Sequence, residues 1–451
     1  MMPGHKTLTP FSICRLILFF LNARFKLAYA YKCFDTKDEL EYAISEYFGY
    51  DCDTIDCDIV KQYGLINTWC VSKITDMSFL FYVRTFNEED DISEWNVSSV
   101  TTMNSMFSSA RSFKGSLSKW DVSSVTDMSS MFESASDFAD DDWSSWNISS
   151  VKNMNSMFRG SALNVKFNID SSSYDVTSYD VSQFKDFNAG LSNWDVSSVK
   201  DMGMMFSGST FDGDLSAWKP SSVSDMSSMF SNTDAFNSDL SNWDVSAVTD
   251  MSSMFEAATA FNGDLANWRP ISVTDMTGMF ARATAFNGDL SSWDVSSVEY
   301  MNSMFYGATA FNGDLSRWDV SSVIDMGWMF TGATDFNCDL SGWNISSVTA
   351  MNEMFSGATD FNGDVTSWDV SNIHNFTQLF YYAAWFNQDL CGWKGAFSHA
   401  IVDDIFLGSG CTFPFDPEGR RGTYCAVASC SPVDTSTVMS EASANLPASN
   451  G

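Results

Sequence analysis

The chain has 451 residues, a formal net charge of −33, and 45% hydrophobic and 15% aromatic residues. That negative charge argues against nucleic acid or an anionic membrane surface as partner, because both need clustered Lys and Arg. The apolar content excludes a disordered acidic chain and suffices to fill a core.

Residues 1–30 read as a secretory signal peptide, with basic residues, a short apolar run from Leu16 to Leu21 and the small-x-small triplet Ala28-Tyr29-Ala30. Removing its four basic residues deepens the charge from −33 to −37. No later stretch approaches the roughly 20 apolar residues of a membrane span, so the mature chain is expected to have none. Residues 31–65 are expected to form a helical, cysteine-containing cap. In "TKDELEYAISEYF", Thr36 and Glu39 make a capping box, and Leu40, Ala43, Ile44, Tyr47 and Phe48 follow helical spacing. "DCDTIDCDIV" is set aside as an EF-hand, since it lacks the central Gly and Gln62 stands at the twelfth position.

Residues 66–393 repeat. From Trp194 the tryptophans fall at 218, 243, 268, 293, 318, 343, 368 and 393, and earlier ones stand at 146, 120, 95 and 69. A period of 24 to 26 residues marks a stack of repeats rather than separate globular domains. The 48 residues from Trp146 to Trp194 leave room for one degenerate turn with Tyr174 at the tryptophan position, which brings the expected total to about fourteen. In each copy MxxMF sets its apolar residues at i, i+3 and i+4, the spacing of a short helix ended by glycine. "FNGD" is turn chemistry with Asn and Gly at φ > 0, and "LSSWDV" offers a short strand. Leu290 and Trp293 are three apart, so a bend must intervene there. The predicted unit is strand, turn, short helix and turn, an α/β solenoid whose core only stacking completes. Met and Trp at these spacings are assigned to that core rather than to copper or stacked sugars.

Three frames in each copy carry Asp. The one after Trp also takes Lys219 and Arg269, and the one before the first Met also takes Tyr300 and Ala350, so neither is an obligate metal ligand. The FNxD frame has no exceptions over eight turns: Asp214, Asp239, Asp264, Asp289, Asp314, Asp339, Asp364 and Asp389. Carboxylates about 4.8 Å apart on neighbouring rungs repel by about 0.9 kcal/mol in water, so something local must favour them. The first explanation is an Asx turn, each Asp accepting its own turn's N–H. The second is a calcium column between rungs. Four N-x-[ST] sequons, at Asn96, Asn147, Asn344 and Asn375, are candidate glycosylation sites of an exported chain.

Cysteines fall in two sets, Cys33, Cys52, Cys57 and Cys70 before the repeats and Cys391, Cys411, Cys425 and Cys430 at their end. Such sets read as disulfide-stapled caps, with pairings left open. Zinc is disfavoured, because CxxC spacing is lacking and His374 and His399 are the only histidines after the signal. Cys338 is left over. Residues 394–430 leave the period as a C-terminal cap, and the Ser/Thr/Ala-rich residues 431–451 are expected to be disordered.

The phrase FNxDLSxWDVSSVTDMSxMFxGAT resembles the repeat of the BspA-like leucine-rich-repeat surface proteins, in the branch first catalogued as a mycoplasma domain of unknown function. The likeness covers about residues 66–393 and implies a right-handed leucine-rich-repeat solenoid, display at the cell surface or outside, and roles in adhesion or recognition. It brings no catalytic residues. A non-enzymatic repeat protein recognising an extracellular protein or glycan is therefore expected, with no cofactor. The alternatives are a calcium-binding matrix component and, less favoured, a polysaccharide-cleaving enzyme. An enzyme needs one unique constellation, whereas these carboxylates recur in every turn.

Overall fold

The computed structural model describes residues 32–49, 57–87, 90–110, 113, 115–135, 143–161, 190–412, 414 and 425. Helix α1 (Lys37–Gly49) starts where Thr36 Oγ1 accepts the Glu39 N–H at 3.2 Å. Glu39 Oε2 reaches back to the Asp35 N–H at 3.0 Å, one residue earlier than a reciprocal capping box requires. α1 buries Leu40, Ala43, Ile44 and Tyr47, and α2 (Asp58–Tyr63) buries Ile59, Val60 and Tyr63. The Phe34 ring stacks on Tyr63 at 4.2 Å and leans on Trp69 at 5.2 Å, so these elements cover the first tryptophan.

Among the described residues, the MxxMF segments do not form the expected short helix, nor the LSxWDV segments the expected strand. In the copy from Phe286, apolar anchors three residues apart close tight turns on one another. Trp293 N–H donates to Leu290 O at 3.1 Å, Val298 to Val295 at 2.9 Å, and Met304 to Met301 at 3.2 Å. Ala308 donates to Phe305 at 3.0 Å and Phe311 to Ala308 at 3.1 Å. A spacing of three is the reach of a β-turn as well as of a helix face, which accounts for Leu290 and Trp293. Along MxxMF the intervening donors leave the copy: Met301, Ser303, Phe305 and Gly307 donate to Asp325, Gly327, Met329 and Thr331 of the next, at 2.7–3.1 Å. An α-helix would spend every N–H along its own axis; here alternate donors bind the neighbouring copy instead. This backbone needs φ > 0 twice per copy, at Ser303 (57°) and Gly307 (64°). The left-handed positions are thus in MxxMFxG and not, as expected, in FNGD. A Cβ at Gly288 would sit 2.9 Å from its own Phe286 ring, a closeness that Ser238, Cys338 and Gln388 meet in the same frame of other copies.

At successive junctions an isolated parallel bridge joins the residue before the first Met to its counterpart, as in Asp250, Asp275, Tyr300 and Asp325. Side chains follow the same register. Phe255, Phe280, Phe305 and Phe330 stack at 5.5–5.6 Å, and Phe261, Phe286, Phe311 and Phe336 at 5.9–6.0 Å. Within a copy the two columns touch, with Phe305 3.9 Å from Phe311. Each repeat tryptophan from 95 to 368 bonds back across a junction; Trp293 Nε1 donates to Leu265 O at 3.0 Å. The Met and Trp anchors of the described turns are core, none being more than 5% exposed, whereas Trp328 and Trp385, outside the anchor frames, are exposed.

The degenerate turn expected at Tyr174 has no place between its neighbours. Asn153 bridges directly to Asp201, Trp146 stacks on Trp194 at 6.4 Å, and Phe158 stacks on Phe206 at 5.8 Å. Tyr174 itself lies outside the described residues. Thirteen tryptophan-bearing turns follow one another, not fourteen.

Pairing also runs past the expected boundary at residue 393. A 3-10 turn (Cys391–Trp393) leads into the one-turn helix α3 (Lys394–Phe397). Phe376, Gln378, Phe380 and Tyr382 then donate to Ile401, Asp403, Ile405 and Leu407, and Phe406 stacks on Phe380 at 6.0 Å. Disulfides join Cys33 to Cys70 and Cys411 to Cys425, and Cys57 and Cys391 are also disulfide-bonded. Cys52, Cys430, the signal-like residues 1–30 and the tail 431–451 lie outside the described residues. Among the described residues no helix is long and apolar enough to cross a membrane.

Candidate functional site

The aspartate columns are built by local turns. In all eight FNxD copies Asp Oδ1 accepts the backbone N–H two residues on. These bonds run from Ser216, Ser241, Ala266, Ser291, Ser316, Ser341, Thr366 and Cys391 to Asp214, Asp239, Asp264, Asp289, Asp314, Asp339, Asp364 and Asp389, at 2.8–3.0 Å. Hydrogen bonds from the hydroxyl and the N–H of that residue hold the Asp214, Asp289, Asp314 and Asp364 carboxyls below the ordinary aspartate range. At Asp239 the backbone N–H is the larger contribution. Repulsion from Asp239 on Asp214, and from Asp314 on Asp289, acts the other way and is smaller. The Asx turn therefore answers the electrostatic problem the column poses.

The other two frames do the same thing. After Trp, Asp244, Asp294, Asp319 and Asp369 accept the N–H of Ser246, Ser296, Ser321 and Ser371 at 3.1 Å. Before Met, Asp225, Asp250 and Asp275 accept from Ser227, Ser252 and Thr277 at 2.8 Å. Where Lys219 and Arg269 replace Asp, proline follows and Ser221 and Ile271 bond the Lys219 and Arg269 carbonyls at 2.9 Å instead. Proline's fixed φ stands in for the missing side-chain acceptor. Among the described residues no group of three or more His, Cys, Asp or Glu could hold a metal ion.

Asparagine has a separate task that the spacing did not reveal. Asn262, Asn287, Asn312, Asn337, Asn362 and Asn387 each donate a backbone N–H to Oδ1 of the Asn one turn earlier, at 2.9–3.0 Å, starting from Asn237. The column is an asparagine ladder. Cys338 in the FNxD frame is buried and free. Its Sγ accepts the Leu315 N–H at 3.2 Å, as Ser238 Oγ accepts the Leu215 N–H at 2.9 Å. Burial pushes the Cys338 thiol up.

Of the sequons, Asn96, Asn147 and Asn344 are exposed, and each accepts the N–H of its +2 Ser at 3.2 Å through Oδ1. Nδ2, the atom a glycan would occupy, is not used in that bond. Asn375 differs: it is half-buried and bridges to Ile401.

The surface that varies is the one carrying the left-handed positions. Where Ser303 and Gly307 stand, other turns place Trp328, Glu353, Arg282 or Tyr382 at the same φ, while the anchors beside them stay buried and apolar, Met in most turns and Phe376 with Leu379 beside Tyr382. Ile271, Tyr300, Trp328, Tyr382 and Trp385 are all exposed. Part of the signal is in the sequence: the seventh position of MxxMFxx is often Gly, as at 160, 208, 307, 332 and 357, the residue that permits φ > 0, whereas the third is most often Ser, which does not announce it.

A family model described as "Mycoplasma protein of unknown function, DUF285" matches residues 50–174, 168–256, 236–330 and 314–407. The chain belongs to this family. The four matches run in tandem and together take in all thirteen tryptophan turns, so family membership and repeat register coincide. No curated protein matches the chain.

Proposed function

We infer that this family member is a non-enzymatic repeat protein, secreted or displayed at the cell surface, that recognises an extracellular protein or glycan. Its architecture on this reading is a BspA-like, leucine-rich-repeat type of solenoid, in which the turns described above are rungs of one continuous core. The observation that carries the reading is the contrast between constant buried anchors and exposed left-handed positions that change from turn to turn. Repeat stacks use such extended variable faces for binding. The carboxylates of the three aspartate frames serve their own turns and recur from copy to copy, unlike the single pair a glycosidase uses.

The test is binding of the purified chain to arrays of glycans and extracellular-matrix proteins, with chelator present and absent, alongside an assay for release of saccharide products. Specific binding without turnover is expected. Product release would favour the enzyme reading, and absence of binding on both arrays would overturn recognition.

A further inference from the structure

We propose that helix α1 and the first turn form a saccharide-binding cleft in which a pyranose ring rests on Phe79 and Tyr82 while its hydroxyls meet Glu41, Ser45 and Arg84. A cavity of about 520 Å³ lies here, walled by these five residues with Val83. That volume is within the few-hundred-Å³ range of small-molecule sites. The inference rests on the recognition reading for its ligand class, and on its own residues for its place.

Later turns also place large side chains at left-handed positions, as at Met204, Arg282, Trp328, Glu353 and the pair Gln378 and Tyr382, but in the first turn both are large and apolar. Phe79 (φ 60°) and Val83 (φ 59°) fill both left-handed positions with large apolar side chains. The next turns carry Ser105 with Ser109, Ser130 with Ser134, and Ser156 with Gly160. A β-branched residue at φ > 0 is a genuine backbone outlier, so Val83 is tolerated there at a cost that glycine or serine would lessen. Burial does not compensate it, since Phe79, Tyr82 and Val83 are 55%, 51% and 58% exposed. Strained, solvated apolar side chains kept together at one spot are the kind of outlier that points to binding.

The chemistry of the walls selects the ligand. The Phe79 and Tyr82 rings meet edge to face at 6.0 Å, giving two apolar plates at a steep angle. Beside them stand a carboxylate, a guanidinium and a hydroxyl, with Arg84 Nη2 only 3.4 Å from Ser45 Oγ and thus retaining most of its donors. A sugar ring has an apolar face and a rim of hydroxyls that both donate and accept, which suits Glu41 and Arg84 together. Glu41 Oε1 also stands 3.5 Å from Lys37 Nζ, and a purely apolar ligand would leave the remaining Arg84 donors unused.

The full chain is titrated with glucose, galactose, mannose, N-acetylglucosamine and the disaccharides cellobiose, maltose, lactose and chitobiose, followed by saturation-transfer NMR. Phe79→Ser and Val83→Gly install residues the other turns carry, so the melting temperature is expected to hold or rise while affinity falls at least tenfold. Glu41→Gln, which keeps shape and removes charge, is expected to weaken binding about tenfold. If the wild type binds a saccharide and the three variants bind it equally well, the cleft is overturned and recognition stands. If no saccharide binds, the ligand class is overturned, and the protein array alone then decides the recognition reading.

Discussion

The asparagine ladder has a direction, and that makes it a sharp target. Asn312 gives its own N–H to Asn287 Oδ1 and receives the Asn337 N–H at its Oδ1, both at 2.9 Å. Asn312→Ala removes one acceptor and leaves the residue's own backbone donor in place. The orphaned group is therefore the Asn337 amide, one turn toward the C-terminus, and not the amide of Asn287 or of residue 312. Asn312 is exposed, so water replaces part of what is lost, and the net cost is that of an ordinary hydrogen bond, about 1 kcal/mol. One turn's loss in so long a stack is diluted in a global melt, whereas amide exchange reads it locally. About 1 kcal/mol corresponds to roughly five-fold faster exchange at Asn337, since 1.4 kcal/mol is tenfold. Hydrogen exchange resolved to single amides is the assay. Faster exchange at Asn287 or 312 with Asn337 unchanged would refute the ladder as drawn.

Trp293→Phe leaves the Leu265 carbonyl without its indole donor and is expected to cost about 1–3 kcal/mol in urea unfolding. Trp393→Phe is expected to cost less, because the buried Trp393 Nε1 has no partner, and equal losses would contradict the role given to the indole bond. The Asp carboxyls held below their ordinary range contribute stability that is present above the unfolded aspartate pKa, near 3.9. It is lost as pH falls through their lower folded values. The melting temperature should accordingly drop below about pH 4, and a flat profile down to pH 2.5 would count against the Asx turns. Calcium and chelator scans are expected to coincide, since each FNxD carboxylate already serves its own turn; a clear rise with calcium would reinstate the calcium column.

What could be read from the sequence was the period and the composition of the core. Among the described residues the Phe, Leu, Trp, Val and Met anchors are buried, because burial depends on apolar character and register, both of which repetition displays directly. The conformation carrying them was not legible. A Met-x-x-Met-Phe spacing satisfies a helix face and a chain of β-turns alike, and the deciding residues were the small ones between the anchors, Ser303 and Gly307, whose backbone is left-handed. The turn expected at Tyr174 failed for a related reason. A gap of 48 residues and Tyr174 at the tryptophan position suggested two rungs, yet Trp146 and Trp194 meet face to face. Candidate sites fared by the same measure: the aspartates' local role followed from turn chemistry, while the α1 cleft depends on a helix meeting a turn, which no spacing within either reveals.

The alternation of donors explains why the repeated phrase tolerates so little change in its anchors and so much between them. Along MxxMF, Met301, Ser303, Phe305 and Gly307 bind forward to the next turn, while Met304, Tyr306 and Ala308 bind back within their own. Backbone, not side chain, makes both sets of bonds, so the exposed positions are free to vary wherever φ > 0 can be endured. The anchors have no such freedom, because Phe305 must meet Phe280, Phe330 and Phe311 at once. A chain built this way can change its outer face one turn at a time without disturbing its interior, which is the property a recognition surface requires.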